Sequence, residues 1–395
     1  MWRLVVLGGL VAGAAGVVLA ARPGSTAEHE RAVVRPSVTS RLPTWVAPGV
    51  RVTITGFAGH TEPVRVLLGG RPVARATSGP LGRYHVRFAI ARPGTYAVTV
   101  ASKGGWVRAG RLLVRPVTLD AVGDVTTGES VGSSVERLGA AFAWRSVGRT
   151  LRDADIATAN LEGAVSLRGS PVPDKEFHFN GPPTMLQAMH RDGGLDVVTV
   201  ANNHSGDYGP QALMDTMRFA HAAGLETVGG GANEQAALRP VVLVAGGLRI
   251  AFVGLSDVNP YGFNAGPATP GTARADPDTV AAAVHAARRE ADVVVCWFHW
   301  GTELVPEPSE RQRELAAAAL AAGAQVVLGA HPHVFGRVAS RSHRLVAWTL
   351  GNFVFPANAP QTVRTGILEL KLDRTGVRAW HVVPAHIVGF QPQLG

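Results

Sequence analysis

The amino-acid sequence predicts an α/β protein in which a layered domain of strands and helices follows a smaller all-β domain. From residue 117 onward apolar runs alternate with helical stretches, which is typical of a layered α/β domain. Shorter strand-like runs separated by turns precede them. The balance of charge changes at the same place. Residues 22–116 contain 15 lysines and arginines and 3 acidic residues, whereas residues 117–395 contain 22 lysines and arginines and 26 acidic residues. We therefore expect two domains of different character.

Composition excludes several classes of protein and restricts the chemistry of any metal site. The chain has 395 residues, of which 46% are hydrophobic and 17% charged, so a disordered chain or a coiled coil is not expected. It contains one cysteine. That count rules out a disulfide framework and a thiolate zinc cluster. Any metal ion must therefore be held by histidine, asparagine, aspartate or glutamate.

The first residues have the pattern of an export signal. Residues 1–21 combine Arg3 with an apolar run that ends before Arg22, which is typical of a signal peptide or an uncleaved signal anchor. The run has no cysteine after it, so lipoprotein attachment at this point is excluded. Residues 22–41 lack periodicity and are predicted to form a linker. We expect an exported protein, either secreted or held at the extracellular face of the cytoplasmic membrane.

The segment 42–116 is predicted to form a small antiparallel β-sandwich. Alternating runs are separated by turns that contain glycine or proline, at 50–55, 64–68, 84–90, 96–101 and 112–114. The stretches PGVRVTITG and PGTYAVTV resemble immunoglobulin-like modules of exported bacterial proteins, which implies a spacer or polymer-binding role. Outward strand positions carry Arg51, Arg65, Arg83, Arg87 and Arg111. The basic excess is therefore expected on the sheet surface, as a solvated face or a binding surface.

The segment 117–395 is predicted to place a functional site at the ends of its strands. Helices are predicted over about 134–152, 210–223, 277–290 and 308–322. Between the helices, six apolar runs each stop at polar side chains, and strand ends of α/β folds converge to build sites. The candidate site residues at these ends are Asp124, Asn160, Glu162, Asn202, Asn203, His204, His299, Glu303, His331, His333 and Asn352.

The donor types at these strand ends favour a divalent cation. Imidazole, carboxylate and amide oxygen without thiolate suit Mn²⁺, Fe²⁺ or Zn²⁺. His331 and His333 flank Pro332, and an extended segment would place both rings on one side. There they could bind one ion or reach two ions about 3.5–4 Å apart. Asn203 offers an amide ligand, and the adjacent His204 can donate a proton to a leaving group.

Seven short motifs in this domain resemble those of one family. AVGD, ANLEGAV, VANNHSGDYG, GGGANEQA, HWGTE, GAHPHV and TLGNFVF occur in the order and approximate spacing of the CapA family of capsule or poly-γ-glutamate synthesis proteins. The similarity spans about residues 117–355. It implies the metallophosphoesterase (calcineurin-like) fold, a layered β-sandwich flanked by helices.

The resemblance also implies roles for individual residues. The metal ligands it implies are Asp124, Glu162 as the bridging carboxylate, Asn203, His299, His331 and His333. The general acid corresponds to His204. Asp207 and Glu303 are expected to orient histidines, Asn202 to satisfy backbone groups, and Asn160 and Asn352 to support the site or touch substrate. The implied reaction is metal-assisted hydrolysis of a phosphoester or, less conventionally, a carboxamide.

Two positions depart from the pattern of the superfamily. Related phosphoesterases begin with Asp-x-His, but here Thr126 stands two residues after Asp124, so the first ion loses a ligand. A single ion, or a weakly bound second one, is therefore compatible with the sequence. The basic residue that the family commonly carries a few positions later is replaced by Gly128-Glu129-Ser130. Substrate contacts expected there are not predicted for this chain.

Two functions remain open at this point. The first is an exported metal-dependent hydrolase that acts in the synthesis or processing of an anionic cell-surface polymer such as poly-γ-glutamate, beside membrane-bound synthesis proteins. The second is a non-catalytic factor that binds the polymer through its arginines and keeps a structural or vestigial metal site. Nucleic acid is not expected as a partner. Export would separate the protein from the nucleic acid of the cell, and no motif of aromatic and basic residues accompanies the charge.

Overall fold

The computed structural model describes residues 33–260 and 262–395. The export-signal prediction for residues 1–21 lies outside this part of the chain. No helix among the described residues is both long and apolar enough to cross a membrane. The predicted linker 22–41 is described from residue 33, and its end contains a two-residue strand that pairs antiparallel with Arg51–Phe57.

The described residues before 115 form strands in two sheets. These strands are β1 (Ser37–Val38), β2 (Trp45–Val46), β3 (Arg51–Phe57), β4 (Pro63–Leu68), β5 (Arg71–Thr77), β6 (Arg83–Ala89), β7 (Gly94–Ser102) and β8 (Gly105–Val114). One sheet has the order β1-β3-β6 and the other β2-β8-β7-β4-β5. The five arginines predicted to point outward are all exposed. The immunoglobulin-like assignment of this segment stays a prediction.

The rest of the chain is a mixed α/β structure. Its strands are β9 (Val117–Thr126), β10 (Ile156–Glu162), β11 (Val197–Thr199), β12 (Glu226–Val228), β13 (Gly230–Gly231), β14 (Val241–Ala245), β15 (Leu248–Ser256), β16 (Gly271–Thr272), β17 (Val293–His299), β18 (Val326–Ala330), β19 (Val338–Arg341), β20 (Arg344–Ala347), β21 (Asn352–Val354), β22 (Arg364–Asp373), β23 (Gly376–Val388) and β24 (Gln391–Leu394). Its helices are α1 (Glu129–Leu138), α2 (Gly148–Asp153), α3 (Thr184–Arg191), α4 (Pro210–Ala222), α5 (Glu234–Ala237), α6 (Pro277–Glu290) and α7 (Glu310–Ala322).

Two large sheets pack face to face between layers of helices. One has the order β12-β11-β10-β9-β22-β23-β24, with β21 paired to β9, and the other β14-β15-β17-β18-β20-β19. Strand β17 shows the layering, because Val295 and Trp297 belong to the core between the sheets, while Cys296 and Phe298 pack with residues of α6 and α7. The Trp297 indole N–H donates to Thr158 of the opposite sheet at 2.9 Å. The sheets are therefore held in register beside the strand ends.

Local signals account for most of the helix boundaries. Helix α6 spans the predicted 277–290, with Asp276 as its N-cap and proline in its first turn. Helix α7 begins at a capping box formed by Ser309 and Gln312. The single helix predicted over 134–152 is wrong. Gly139, at φ +80°, ends α1 in a conformation that continues no helix, and a 3₁₀ turn separates it from α2.

A buried carboxyl group in β9 makes folding sensitive to pH. Asp120 is buried, and burial, reinforced by Glu369, raises its pKa to about 7 from the usual 3.8. The native state therefore binds this proton more tightly than the unfolded state, so the group stabilises the fold at low pH and the stability falls as pH rises from about 4 to about 7. We expect Asp120→Asn to flatten the free energy of unfolding across that interval, measured by urea denaturation. An unchanged slope would contradict the assignment.

Candidate metal centre

The candidate site lies where parallel strands of the two sheets end side by side. Asp124 and Glu162 belong to the neighbouring strands β9 and β10, which pair in parallel. His299 ends β17 in the opposite sheet, and His331 follows β18, the parallel neighbour of β17. The backbone N–H of His331 donates to Asp124 Oδ2 at 3.3 Å, which joins the two sheets directly. The strand ends of the two sheets therefore converge here, and the sequence predicts such a convergence.

Asn160 organises the centre of this cluster. Its Nδ2 lies 2.9 Å from Asp124 Oδ1, 3.1 Å from Glu162 Oε2 and 3.3 Å from His299 Nδ1. Its Oδ1 accepts a hydrogen bond from Asn202 Nδ2 at 3.1 Å. Because one amide side chain contacts both carboxylates and the imidazole, Asn160 fixes their relative positions. Asn160 thus contacts three of the predicted ligands without being one of them.

The histidines reach the cluster through a strained backbone. His331 and His333 have φ values of +93° and +58°, a region that residues other than glycine rarely adopt. The extended conformation predicted for this segment is therefore wrong, because Pro332 sits in a tight loop between two left-handed residues. The rings still converge: the His331 ring centroid lies 4.8 Å from that of His299 and 6.0 Å from that of His333.

Hydrogen bonds orient two of these rings. His299 Nε2 lies 2.7 Å from Asn203 Oδ1, so the predicted amide ligand and an imidazole ligand are in contact. His333 Nδ1 lies 2.8 Å from Asn352 Oδ1 and 3.4 Å from Asp124 Oδ2. Asn352 therefore supports a predicted ligand, which is one of the two roles expected for it.

Burial and mutual charge perturb the ionisation of the cluster. Burial, reinforced by Asp124, raises the pKa of Glu162 well above its usual value. Burial lowers the pKa of His299 well below its usual range and that of His331 to about 4, which keeps both imidazoles neutral at pH 7. Burial opposes the charge of His333 as well, but the Glu162 and Asp124 carboxylates outweigh it and raise its pKa to about 10. Neutral imidazoles are the form that binds metal ions.

The cluster fits a divalent cation. Glu162 Oε1 and His331 Nδ1 are buried without a hydrogen-bond partner, although buried polar atoms are normally paired. Two sets of three residues each bring ligand atoms within 4.8 Å of one another. One set is Asp124, Glu162 and His299, and the other is Glu303, His331 and His333. A cation would satisfy the unpaired atoms and offset the buried negative charge.

Thr126, which departs from the superfamily pattern, and Glu303 at the edge of the cluster differ in what they contribute to it. The Thr126 hydroxyl accepts a hydrogen bond from the Gly128 backbone N–H at 3.2 Å, so it is engaged away from the ligand sets. Glu303, expected only to orient a histidine, lies within ligand distance of His331 and His333. Its exposed carboxylate therefore offers an additional donor at the edge of the cluster.

A second group of residues adjoins the ligand cluster around His204. His204 Nδ1 lies 2.8 Å from Asp207 Oδ2, and its ring stacks on Phe179 with the centroids 4.0 Å apart. The Phe179 backbone N–H also donates to Asp207 Oδ2, at 2.7 Å. His204 Nε2 lies 3.9 Å from Glu162 Oε1. Asp207 thus orients His204 so that its other nitrogen faces the cluster.

Lys175 is a member of this group that sequence reasoning missed. Its ammonium donates to the Asn203 carbonyl at 2.7 Å, lies 2.9 Å from His204 Nδ1 and pairs with the buried Asp207 carboxylate. Burial lowers the pKa of Lys175, against the pull of Asp207. It belongs to the loop between β10 and α3, in the stretch PDKEFHFN, where no periodicity or strand end drew attention to it. It places a basic group beside the site, although Gly128-Glu129-Ser130 lacks one.

Asn202 has the backbone role that was expected of it. Its Nδ2 donates to the Leu161 carbonyl at 2.8 Å, and its Oδ1 accepts from the His204 backbone N–H at 3.1 Å. The Ser205 hydroxyl donates to the same oxygen at 3.0 Å. Asn202 therefore fixes the loop that presents Asn203 and His204.

The mixed α/β fold and the two sets of ligand-type side chains agree with the metallophosphoesterase-like superfamily, to which the CapA family belongs. More specifically, the chain belongs to the bacterial capsule synthesis protein family PGA_cap, whose family model matches residues 118–357. The resemblance to the CapA family found in the sequence is thereby confirmed. The matched segment begins at β9 and contains all the predicted ligands.

Relatives with curated names agree with this assignment. The chain is 32% identical over 268 residues to the PGA biosynthesis protein CapA of Bacillus subtilis (strain 168), covering 67% of this chain and 70% of the relative. It is 31% identical over 284 residues to the capsule biosynthesis protein CapA of Bacillus anthracis, covering 70% and 69%. Among solved structures, the NAD nucleotidase NadN of Haemophilus influenzae aligns with a TM-score of 0.39 and 12% identity, over 69% of this chain and 50% of the nucleotidase. That likeness is too weak to support an argument.

Proposed function

We propose that this protein is an exported metal-dependent hydrolase that acts on poly-γ-glutamate, an anionic cell-surface polymer, during its synthesis or processing. One observation carries the proposal: two buried atoms, Glu162 Oε1 and His331 Nδ1, have no hydrogen-bond partner. They belong to two adjoining sets of residues that could bind metal. The relatives named for capsule and PGA biosynthesis supply the polymer. The predicted signal supplies the export, at the outer face of the cytoplasmic membrane or into the medium, beside membrane-bound synthesis proteins.

Different side chains would bind the metal and donate the proton. Asp124, Glu162, Asn203, His299 and the HPH histidines would hold one or two ions of Mn²⁺, Fe²⁺ or Zn²⁺. The ion would polarise the scissile bond and activate water. His204, held by Asp207 and facing Glu162, is placed to donate a proton to the leaving group.

A cleft beside this centre can admit a polymer. It has a volume of about 590 Å³, and Lys175 and Gly206 form its wall next to the site. Phe263 and Leu213 line it with apolar surface, and Phe263 lies 5.5 Å from the Lys175 ammonium. The methylene groups of a glutamate polymer would contact the apolar wall, while Lys175 is the nearest cation for its carboxylates.

The second candidate is a non-catalytic polymer-binding or assembly factor with a structural or vestigial metal site. Thr126, in place of the superfamily histidine, favours it, because the residue removes one ligand. A structural site would bind metal just as the hydrolase does, whereas a vestigial site would not, so turnover is the measurement that separates the two candidates.

The decisive experiment combines a metal count with turnover. Protein purified without a histidine tag should contain one or two divalent ions. With Mn²⁺ it should cleave γ-linked polyglutamate, and chelation should stop the reaction. His331→Ala should lower turnover at least about 100-fold, because ligand loss removes several kcal/mol of transition-state stabilisation. His221→Ala, which alters an exposed histidine on α4, is the matched control. Cleavage of a generic phosphoester but not of γ-linked polyglutamate would mean that the substrate is a phosphoester. Metal binding without cleavage of either substrate would favour the binding factor.

A further inference from the structure

We propose that the outer face of the sheet β2-β8-β7-β4-β5 is a trough that binds an extended anionic polymer. The inference rests on the proposed function for the identity of that polymer, poly-γ-glutamate, and adds a binding surface separate from the metal centre. Residues 63–119 contain ten lysines and arginines and no aspartate or glutamate. Charge of one sign over so long a stretch attracts ligands of opposite charge.

The trough has a floor of small side chains between basic walls. Its floor is the outer face of the central strand β7, formed by Ala97, Thr99 and Ala101, which are exposed or half-buried. Strands β4 and β8 flank β7, so the walls stand roughly 10 Å apart, two strand spacings. The basic wall residues are Arg65 and Arg75 on one side and Arg108 and Arg111 on the other.

Pairing between the strands places all four arginines on this face. Arg65 pairs with Ala101, Arg108 with Thr99 and Arg111 with Ala97. Arg65 also lies directly opposite Arg75, an arrangement of like charges that destabilises a sheet. An anionic chain bound over the floor would relieve this repulsion.

These four arginines are free to bind, whereas two of the three arginines on the strands of the other sheet are engaged. Within residues 33–260 and 262–395, none of the four wall guanidinium groups forms an ion pair, a side-chain hydrogen bond or a ring contact. In the sheet β1-β3-β6, Arg83 instead packs over the Phe57 ring at 5.6 Å, and Arg87 Nε donates to His85 at 3.0 Å. The unengaged arginines therefore concentrate on the trough.

The shape and chemistry favour a single flexible polymer with carboxylates. A trough one strand wide suits an extended chain rather than a flat membrane surface. Single-stranded nucleic acid requires several aromatic platforms, whereas the described part of this face carries one, Trp106, which is 71% exposed and pairs with Ala101. Trp106 can instead pack on the methylene groups of a glutamate polymer.

The test uses the full-length protein and fluorescently labelled poly-γ-glutamate, with binding followed by anisotropy at several salt concentrations. The variant Arg65→Gln/Arg75→Gln/Arg108→Gln/Arg111→Gln removes the trough charges. The control Arg51→Gln/Arg83→Gln/Arg87→Gln/Arg92→Gln removes the same number of charges from the neighbouring exposed arginines. We expect at least a tenfold weaker Kd and a shallower salt dependence for the trough variant, and at most a threefold change for the control.

Three results would overturn the inference. Equal losses in both variants would mean that binding follows net charge alone. A greater loss of binding to vesicles containing phosphatidylglycerol, or to single-stranded DNA, than to poly-γ-glutamate would identify a different ligand. Retained polymer binding by a trough variant whose thermal unfolding matches the parent would exclude the trough. Failure of the hydrolase proposal is distinguishable, because His331→Ala should lower turnover at least about 100-fold and leave the difference in Kd between the trough variant and its control unchanged.

Discussion

Glu162→Gln is expected to lower polymer hydrolysis by about 1,000-fold or more and, at the same time, to stabilise the metal-free protein. Glu162 belongs to one ligand set, and its Oε1 lies 3.7 Å from His333 Nε2 of the other set and 3.9 Å from His204 Nε2. Its loss therefore affects both ligand sets as well as the proton donor.

The stability gain follows from the cost of a buried charge. Glu162 is fully buried with Oε1 unpaired, and its pKa is raised by burial and by Asp124. Without metal, the native state therefore loses stability as pH rises above the usual carboxyl range, and glutamine removes that loss. The gain is offset in part, because glutamine also removes the attraction between Glu162 and the charged His333. Thermal unfolding at pH 7 with a chelator should show a higher midpoint for Glu162→Gln, and added Mn²⁺ should stabilise the parent but not the variant.

Asp120→Asn is the matched control for Glu162→Gln. Asp120 is a second buried carboxylate with an unpaired oxygen, but it lies in β9 away from the ligand sets. We expect this variant to gain stability at pH 7 and to keep full hydrolysis and metal affinity. Loss of activity in both variants would contradict the placement of Glu162 at the centre, as would unchanged metal binding by Glu162→Gln.

Much of the site could be predicted because its signals are local. A strand that stops at a polar residue fixes where that residue lies, and parallel strands bring their carboxyl ends to one edge. Asp124, Glu162 and His299 obey this rule, and the structure joins them through Asn160. The boundaries of α6 and α7 were predictable for a similar reason, since their capping side chains lie within three residues of the bonds they accept.

The remainder depends on contacts between distant residues. Lys175 reaches the centre because a loop without regular structure folds over Asp207, which is 32 residues away in the sequence. The sequence of such a loop has no periodic pattern from which its course could be predicted. Glu303 enters ligand range through the left-handed backbone of the HPH segment. Tertiary packing maintains such strain, so an extended segment was the natural but wrong prediction for it.

Trp297→Ala is expected to destabilise the protein by about 3–5 kcal/mol and to weaken metal binding from a distance. The indole is fully buried between the two large sheets, and its N–H donates to Thr158 across the interface. Removing it leaves a cavity two residues before His299, on the strand that carries this ligand, and an unpaired Thr158 hydroxyl on the opposite sheet. The sheets would then lose the register that brings His299 to Asn160.

Two further variants separate the contributions of volume and hydrogen bonding at Trp297. Trp297→Phe keeps most of the ring but removes the donor to Thr158, so we expect a loss of about 1–2 kcal/mol in urea denaturation. Trp106→Ala, which removes an indole that is 71% exposed, should change stability by about 0.5 kcal/mol or less. If Trp297→Ala unfolded at the parental urea concentration, or kept full metal affinity despite the expected destabilisation, the two sheets would not position the centre together. The ligands of each sheet would then act as independent units.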